Sequence, residues 1–467
     1  MPLKHFEEIS KIPRGSGNEK AVSDYVKDFA TNLNCKVIQD KLNNLIIYKP
    51  ASLGYEDKPP IILQAHLDMV NEKNAGTEHD FLTDPLKLYT DGDWLKAQGT
   101  TLGADNGIAV AYCMALLEDN ALQHPPLEIV LTVEEESGMA GAQNIDATLL
   151  NGKRMINLDN SKDYQFIMGC AAGTTAEYVL PAQWEELPAD ADVYTITVNG
   201  LIGGHSGDDI EKERGNAIRI LGQVLAAIKS DVKIAAISGG MKVNAIPREA
   251  TATIVLPSGS DINHTFEKYK NDFAIKYRAT DAGLNISLSK TTAGKCLSSE
   301  TSRKLIASLV LLPNGVLAVS KEIDDLVNAS CNLGVVETLE DSIKISLMPR
   351  GMSKFYNEHT ETQIANLAVL TGANATFIGR SPAWPYNPNS ELLKTAVACY
   401  PPIFGQPAKV TAIHAGLECG LFAEKISDLD IISFGPTIHD LHTPDERLSI
   451  SSTEKMWELL KSLLAAL

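Results

Sequence analysis

The sequence of 467 residues has few basic side chains and no long apolar run. Its 41 lysines and arginines stand against 59 aspartates and glutamates, which gives a formal net charge of −18. Because nucleic acids and anionic membranes are bound through basic surfaces, this balance predicts that neither is a partner. No apolar run approaches the ~18–20 residues that cross a bilayer, so we expect no transmembrane segment.

Cysteine is also scarce. The seven cysteines, an odd number, are scattered without a Cys-x-x-Cys pair. Isolated thiols are typical of a reducing compartment, whereas small secreted domains pair their cysteines into a disulfide framework. The first residues, MPLKHFEEISKIPRGSG, lack the apolar centre of a secretory signal. The sequence therefore predicts a cytoplasmic protein.

The length of the chain exceeds what one hydrophobic core usually serves, so we expect two domains. Residues 1–172 alternate continuous apolar runs with helical patterns, which indicates an α/β domain with buried strands. Over residues 173–382, apolar and polar residues alternate as in half-exposed antiparallel strands. The α/β pattern returns over residues 383–467. We predict an α/β domain, with a mixed, mostly parallel sheet flanked by helices, that is interrupted by an inserted α+β domain.

Periodicity places the individual elements. Apolar residues at helical spacing predict helices over 18–33, 106–120 and 215–230. A Ser-x-x-Glu capping box at Ser451 predicts the start of a last helix. Short continuous apolar runs predict buried strands over 44–48, 61–66, 127–133, 154–159 and 428–437.

Polar side chains stand where these strands end. Ligands bind at the carboxyl ends of the strands in open α/β sheets, so we expect these side chains to share one site. Another carboxylate, Asp105, stands at the start of the helix over 106–120. The strand-end residues are His66, Asp68, Glu134, Glu135, Glu136, Asp159, His439, Asp440 and His442.

Each of these residues also has a purely structural interpretation. His66 could be a hydrogen-bonded core histidine, and the three glutamates could be a solvated strand end. Asp159 could serve a turn. The HTPDE motif, residues 442–446, could begin a one-turn helix with Thr443 as N-cap. Their convergence on one sheet edge favours a shared polar site.

Two imidazoles and several carboxylates, with no cysteine among them, are ligands that suit Zn²⁺ or a neighbouring ion such as Mn²⁺ or Co²⁺. One catalytic zinc ion takes three protein ligands, and the sequence offers more candidates than that. Two ions ~3.5–4 Å apart that share a bridging carboxylate would use them all. A glutamate beside a ligating glutamate could then act as general base.

The motifs HLDMV, GADNG, TVEEESGMAGA, NLD, GGHSGDDI and HTPDE, in this order, resemble those of the co-catalytic di-zinc exopeptidases. This family includes carboxypeptidase G-like enzymes, peptidase T and carnosinases. The resemblance implies a metallopeptidase with two Zn²⁺ ions per chain that forms a homodimer, and it identifies the inserted domain as a lid. The length of that domain favours the branch that hydrolyses dipeptides with free ends, namely Xaa-His dipeptides including β-Ala-His.

The resemblance also implies roles at the metal centre. Asp68 would orient the ring of His66, and Glu135 would be the general base for a metal-bridged hydroxide, with Glu134 outside the site. The implied ligands are His66 and Asp159 on one ion, Glu136 and His442 on the other, and Asp105 as the bridge between them.

In the lid, the resemblance implies that His205 stabilises the oxyanion, in its own chain or in that of a partner. It further implies that Asn244 helps to hold the substrate. Arg350 is a candidate for binding the substrate carboxylate because a guanidinium pairs with it bidentately. Gly416 would allow close backbone approach, and Glu418 could meet the free amino group.

Other functions stay open. An N-acyl-amino-acid deacylase or a tripeptidase would use the same chemistry, and a non-catalytic binding module could share the fold. The complete ligand set and the adjacent Glu135 and Glu136 argue against a binding module, which has no need of a base. GGHSGD also resembles a Gly-x-Ser-x-Gly nucleophile elbow, but Asp208 replaces the final glycine, which argues against a serine hydrolase.

Overall fold

The computed structural model describes residues 1–228 and 231–467 and divides into two units. Unit 1 comprises Met1–Gly169, Trp384–Ala412 and Leu417–Leu467, and unit 2 comprises Cys170–Ala383 and Ile413–Gly416. The sequence boundaries assign all of residues 383–467 to the α/β domain, whereas in the structure the short segment Ile413–Gly416 belongs to unit 2. None of the helices within the described residues has the length and apolar character needed to cross a membrane.

The chain up to Cys170 contains buried strands and a buried helix. Strands β3 and β6, defined below, are buried at every residue, as expected of parallel strands that are covered on both faces. The helices are α1 (Pro2–Ile9), α2 (Lys20–Asn32), α3 (Ala104–Glu118) and α4 (Ala140–Asn144). The strands are β1 (Lys36–Gln39), β2 (Leu45–Lys49), β3 (Ile61–His66), β4 (Leu88–Asp91), β5 (Trp94–Ala97), β6 (Leu127–Thr132), β7 (Arg154–Asn157) and β8 (Gln165–Cys170).

Unit 2 is built on an antiparallel sheet. Burial alternates along several of its strands, because one face packs against helices and the other is exposed. The strands are β9 (Ala172–Pro181), β10 (Trp184–Glu186), β11 (Asp192–Asn199), β12 (Gly204–His205), β13 (Lys233–Gly239), β14 (Ala245–Ile246), β15 (Ala250–Leu256), β16 (Asn285–Lys290), β17 (Lys295–Leu297), β18 (Gly315–Val319), β19 (Val327–Thr338), β20 (Ser342–Gly351) and β21 (Asn374–Ser381). The helices are α5 (Ala217–Ala227), α6 (Asn263–Lys276), α7 (Ser299–Leu311) and α8 (Lys354–Thr371).

The nine-stranded sheet of unit 2 has the order β16-β11-β15-β13-β19-β20-β9-β21, with β18 paired to β19. Helix α5 begins after Asn216, whose side chain accepts a hydrogen bond from the N–H of Arg219. The helix predicted over 215–230 corresponds to α5, and its last two residues, 229 and 230, lie outside the described residues.

The last part of the chain completes unit 1. The capping box predicted at Ser451 is wrong: Ser449 is the N-cap and accepts a hydrogen bond from the N–H of Ser452, while the hydroxyl of Ser451 donates to Asp93. The helices are α9 (Glu391–Cys399), α10 (Pro401–Phe404), α11 (Glu418–Lys425) and α12 (Ile450–Ala466). The strands are β22 (Lys409–Ile413), β23 (Asp430–Ser433), β24 (Ile438–His439) and β25 (Arg447–Ser449).

The main sheet of unit 1 has eight strands in the order β1-β2-β6-β3-β7-β23-β8-β22. Its centre is parallel, since β3 pairs in parallel with both β6 and β7, and β7 pairs in parallel with β23. Antiparallel pairs flank this centre. The predicted fold class, a mixed α/β sheet flanked by helices with an inserted α+β region, is confirmed.

Candidate active site

The parallel strands of unit 1 bring polar side chains to one edge of the sheet. His66 of β3 lies opposite Thr132 of β6, and Gln64 of β3 lies opposite Asn157 of β7. Because these strands are parallel and in register, the residues that follow each of them emerge at the same edge. Those residues are Asp68 after β3, then Glu134, Glu135 and Glu136 after β6, and Asp159 after β7.

Asp105 lies between two histidines. It stands in the first turn of α3, where its φ of −81° and ψ of 105° depart from helical values. Its Oδ1 lies 3.2 Å from His66 Nε2, and its Oδ2 lies 3.5 Å from His442 Nε2. One carboxylate therefore faces both imidazoles, as a bridging ligand must.

Each imidazole also faces a second carboxylate. His66 Nε2 lies 3.9 Å from Asp159 Oδ1, and His442 Nε2 lies 2.9 Å from Glu136 Oε1. The five residues predicted as ligands thus lie together, with one histidine and one further carboxylate on each side of Asp105.

This group of side chains fits a divalent metal ion. Ligand atoms of His66, Asp105 and Glu136 all lie within 4.8 Å of one another. Glu136 Oε1 is buried and makes no hydrogen bond of acceptable geometry within residues 1–228 and 231–467. Imidazole nitrogens and carboxylate oxygens are the ligands that zinc and its neighbouring metals take in proteins.

Buried negative charge dominates the electrostatics of the site. Burial and the charge of Asp105 raise the pKa of Asp159 well above its usual range. The nearby carboxylates, first Asp105 and then Glu136, raise the pKa of His442 to about 10. Burial opposes protonation of His66. Its hydrogen bonds with Asp105 and, to a smaller extent, Asp68 nevertheless raise the pKa of His66 well above the usual range. Protons on the imidazoles offset the carboxylates here, and a metal ion would displace these protons.

Asp68 contacts both the ring of His66 and the loop after β6. Its Oδ1 lies 3.2 Å from His66 Nδ1 and accepts a hydrogen bond from the N–H of Glu135 at 3.1 Å. Its Oδ2 accepts from the N–H of Glu136 at 3.1 Å and from the hydroxyl of Ser16 at 2.8 Å. Burial opposes ionisation, yet these hydrogen bonds lower the pKa of Asp68 to about 2. An ionised Asp68 in direct contact with His66 fixes the orientation of the ring.

Glu135, which precedes Glu136 in the loop after β6, has a strongly shifted pKa. Burial raises its pKa to about 8, and the charges of Glu418 and Glu136 add to this effect against the opposing charge of His66. A carboxyl group with a pKa near neutrality can both take up and return a proton. The backbone of Glu134 helps to hold the loop after β6 in place, because its N–H donates a hydrogen bond to Glu19 Oε1 at 3.0 Å.

Non-glycine residues with left-handed backbone occur around the site. The φ angles are 54° at Glu134, 61° at Met139, 54° at Asp440 and 61° at His442. Such conformations cost about 1–3 kcal/mol each and are maintained by the surrounding structure. The loops that carry Glu135, Glu136 and His442 are therefore held in conformations that their residues do not favour.

Glu446 of the HTPDE motif binds the start of α3. Residues 442–446 form no helix, so the one-turn helix that they could begin is not present. The carboxylate of Glu446 accepts hydrogen bonds from the four N–H groups of residues 102–105. A helix N-terminus is a favourable place for a carboxylate. Sequence reasoning missed this role because the partners are at least 341 residues apart.

Glu418 stands at the start of α11 and is buried. Its side chain is fully buried, and its Oε2 accepts hydrogen bonds from Gln64 at 2.5 Å and from Thr132 at 2.7 Å. Burial raises its pKa to about 8. Helix α11 turns Glu418 towards strands β3 and β6, inside unit 1, and contact with the substrate's amino group stays a prediction.

His205 lies in unit 2, on the short strand β12. Its Nδ1 accepts hydrogen bonds from the N–H groups of Gly207 at 3.3 Å and Asp208 at 3.2 Å, so Nε2 carries the proton. Burial, followed by the positive charge of Arg350, lowers the pKa of His205. The side chain is therefore a neutral hydrogen-bond donor. Asn244 is exposed and directly precedes β14, the strand that pairs with β12.

Arg350 and His414 are buried polar residues of unit 2. Arg350 is 5% exposed. Within residues 1–228 and 231–467, its Nε has no hydrogen-bond partner, and no carboxylate lies within ion-pair distance of its guanidinium. His414 Nε2 lies 2.7 Å from Ser330 Oγ, and burial, followed by the charge of Arg350, lowers the pKa of His414 to about 3. Gly416 belongs to the same segment as His414. Sequence reasoning missed His414, which directly follows the apolar strand β22.

Comparison with known proteins places these features in a family. The model of the peptidase family M20/M25/M40 matches residues 62–466. The cytosol non-specific dipeptidase of Escherichia coli (strain K12) is 37% identical over 98% of this chain and 96% of its own length. The crystal structure of aminoacylhistidine dipeptidase from Vibrio alginolyticus has a TM-score of 0.93 at 36% identity, covering 100% of this chain and 96% of that one.

A more distant structure shares the fold alone. Aminopeptidase PepT from Bacillus cereus matches with a TM-score of 0.57 at 14% identity, over 99% of this chain and 97% of that one. The extent of the family match and the identity to the Escherichia coli enzyme, together with the ligand cluster at the sheet edge, lead to one conclusion: this chain belongs to the peptidase family M20/M25/M40.

Proposed function

We propose that this protein is a cytoplasmic metallodipeptidase that hydrolyses dipeptides with free amino and carboxyl ends, Xaa-His dipeptides such as β-Ala-His among them. The observation that carries this proposal is the carboxylate of Asp105, which faces His66 at 3.2 Å and His442 at 3.5 Å. The names of the Escherichia coli and Vibrio relatives, both dipeptidases, support the substrate class.

The metal ions are proposed to be two Zn²⁺, with Co²⁺ or Mn²⁺ as alternatives. His66 and Asp159 would hold one ion, Glu136 and His442 the other, and Asp105 both. When bound, such ions would lower the pKa of a water molecule and polarise the scissile carbonyl.

Glu135 is proposed to take the proton of the attacking water and to return it to the leaving amine. Its pKa of about 8, which burial raises, suits both transfers at neutral pH. Asp68 would keep the ring of His66 in place through the contact to Nδ1.

The substrate carboxylate is proposed to bind Arg350. A buried guanidinium is costly unless a negative group pairs with it. Within the described residues Arg350 has an unpartnered Nε and no carboxylate in ion-pair distance, and only the more distant charge of Asp208 acts on it. Asn244 and Gly416 would contact the same substrate. This requirement for a free carboxylate separates dipeptides from substrates that end in an amide.

A substrate panel tests the proposal. Purified protein should hydrolyse β-Ala-His and other Xaa-His dipeptides, and it should act poorly on the same dipeptides with a C-terminal amide. Chelation should abolish turnover, Zn²⁺ should restore it, and elemental analysis should find about two metals per chain. Turnover of N-acetyl amino acids alone would indicate a deacylase, and preference for tripeptides would indicate a tripeptidase; either outcome contradicts the dipeptidase.

Glu135→Gln should retain the metals and lose turnover, because the amide cannot accept the proton. The kcat for β-Ala-His should fall by about 10²–10⁴-fold, the range for general acid–base catalysis. Elemental analysis should give the wild-type metal content. Glu134→Gln, a change in the preceding residue of the same loop, is the control and should keep kcat within a few fold. An unchanged kcat in Glu135→Gln would remove Glu135 from its role.

His205→Ala should lower kcat more than it raises KM, because we propose that Nε2–H donates to the oxyanion that forms in the transition state. Loss of one oxyanion donor typically costs about 10²–10³-fold in kcat. His264→Ala, at an exposed histidine of α6, is the control. A His205→Ala variant with wild-type kcat would exclude this role.

A homodimer is proposed because unit 2 exposes apolar side chains beside an edge strand. Phe355, Val369 and Leu370 of α8 are 72%, 78% and 80% exposed. Strand β21, at the end of the sheet order, exposes Ile378 by 52%. Exposed apolar patches and unpaired edges mark association surfaces.

The double variant Val369→Asp with Leu370→Asp should convert the dimer to a monomer, because charged groups cannot be buried unpaired in an interface. Light scattering after size exclusion should fall from twice the mass of one chain to the mass of one chain. Leu53→Asp, at a residue 92% exposed in unit 1, should leave the mass unchanged. A wild-type protein that is monomeric at all concentrations would refute the homodimer.

A further inference from the structure

The turn that carries Asp105 lies among further carboxylates. Asp159 and Glu136 both stand close to the same imidazoles as Asp105, so several acceptor groups compete for the two rings. A carboxylate that must serve two ions has to stay in one orientation among these competing groups. The first turn of α3 cannot supply that rigidity by itself, since Asp105 lies outside helical φ and ψ values.

Glu446 fixes this turn from one side. Its Oε2 accepts from the N–H groups of Leu102 at 2.8 Å and Gly103 at 2.9 Å. Its Oε1 accepts from those of Ala104 at 2.8 Å and Asp105 at 3.3 Å. Glu446 is 2% exposed, so water does not compete for these hydrogen bonds.

Arg14 fixes the same turn from the N-terminal segment. Its Nη2 donates to the carbonyl of Gly103, and its Nη1 donates to those of Leu67 and Asp68 at 3.0 Å each. Arg14 therefore joins the turn before Asp105 to the loop after His66. It is 2% exposed and lies outside residues 62–466, the part of the chain that the family model matches.

We propose that Glu446 and Arg14 are positioning residues that hold the turn at 102–105 so that the Asp105 carboxylate can be shared by two metal ions. This inference rests on the proposed function. Groups that orient metal ligands typically account for about 10–100-fold in metal affinity.

The test measures Zn²⁺ affinity by competition with a chromophoric chelator, beside the thermal unfolding of the metal-free proteins. Glu446→Gln replaces one acceptor oxygen by a donor that faces backbone N–H groups, and Arg14→Met removes the donors. Both variants should bind Zn²⁺ about 10–100-fold more weakly. Arg14→Lys keeps the charge and should lose less affinity, which provides a variant that folds if Arg14→Met does not.

Matched controls separate positioning from general stability. Glu128 is 3% exposed and accepts hydrogen bonds from the N–H groups of Asn151 and Gly152, away from the site. Lys49 is 8% exposed and donates to carbonyls at the other end of α3. Glu128→Gln and Lys49→Met should lower the unfolding temperature as much as the site variants do and leave Zn²⁺ affinity unchanged.

Excess Zn²⁺ supplies a second measurement. Activity of Glu446→Gln should recover as Zn²⁺ is raised, whereas activity of the controls should not depend on added metal. Suppose that the wild-type protein binds Zn²⁺ and hydrolyses dipeptides. Unchanged Zn²⁺ affinity in both Glu446→Gln and Arg14→Lys would then overturn this inference but leave the proposed function standing. Wild-type protein that binds no divalent metal would overturn the proposed function and this inference together.

Discussion

Crowding of partly buried carboxylates at one edge of the unit 1 sheet is the constraint on which the site depends. Asp105, Glu136 and Asp159 lie around two imidazoles, in surroundings that disfavour charge. Burial raises the pKa of Asp159 and of Glu135, so such a cluster is stable only with compensating positive charge. The raised pKa values of His66 and His442 fit this need for positive charge, and divalent ions would meet it at the same place.

Much of unit 1 serves to hold this arrangement. The parallel register of β3, β6 and β7 delivers the side chains to one edge, and Asp68 binds two backbone N–H groups of the loop after β6. The backbone is left-handed at Glu134 and His442, which costs about 1–3 kcal/mol at each residue. The buried strands and the buried helix α3 offset this local cost in folding free energy.

Unit 2 buries a positive charge, whereas the site in unit 1 gathers negative charges. In a chain with a net charge of −18, it buries Arg350 without an ion-pair partner in the described residues and keeps His205 and His414 neutral. A buried cation beside neutral donors suits an anionic ligand group. Unit 1 thus gathers side chains that suit a cation, and unit 2 buries a side chain that suits an anion.

Sequence alone determined the fold class and the residues gathered at the sheet edge, because strand period and chain direction decide which side chains emerge where. His66, Glu136, Asp159 and His442 were among the strand-end residues for this reason, and the resemblance to the di-zinc exopeptidases selected them, with Asp105, as ligands. Only the tertiary structure decided that Glu446 binds the start of α3, that Glu418 turns into the core, and that Ser449 caps α12. These outcomes depend on hydrogen bonds to backbone groups distant in the chain or on local competition among hydroxyls. Such contacts leave no periodic pattern, since a backbone N–H is the same at every residue and only the fold brings it within reach.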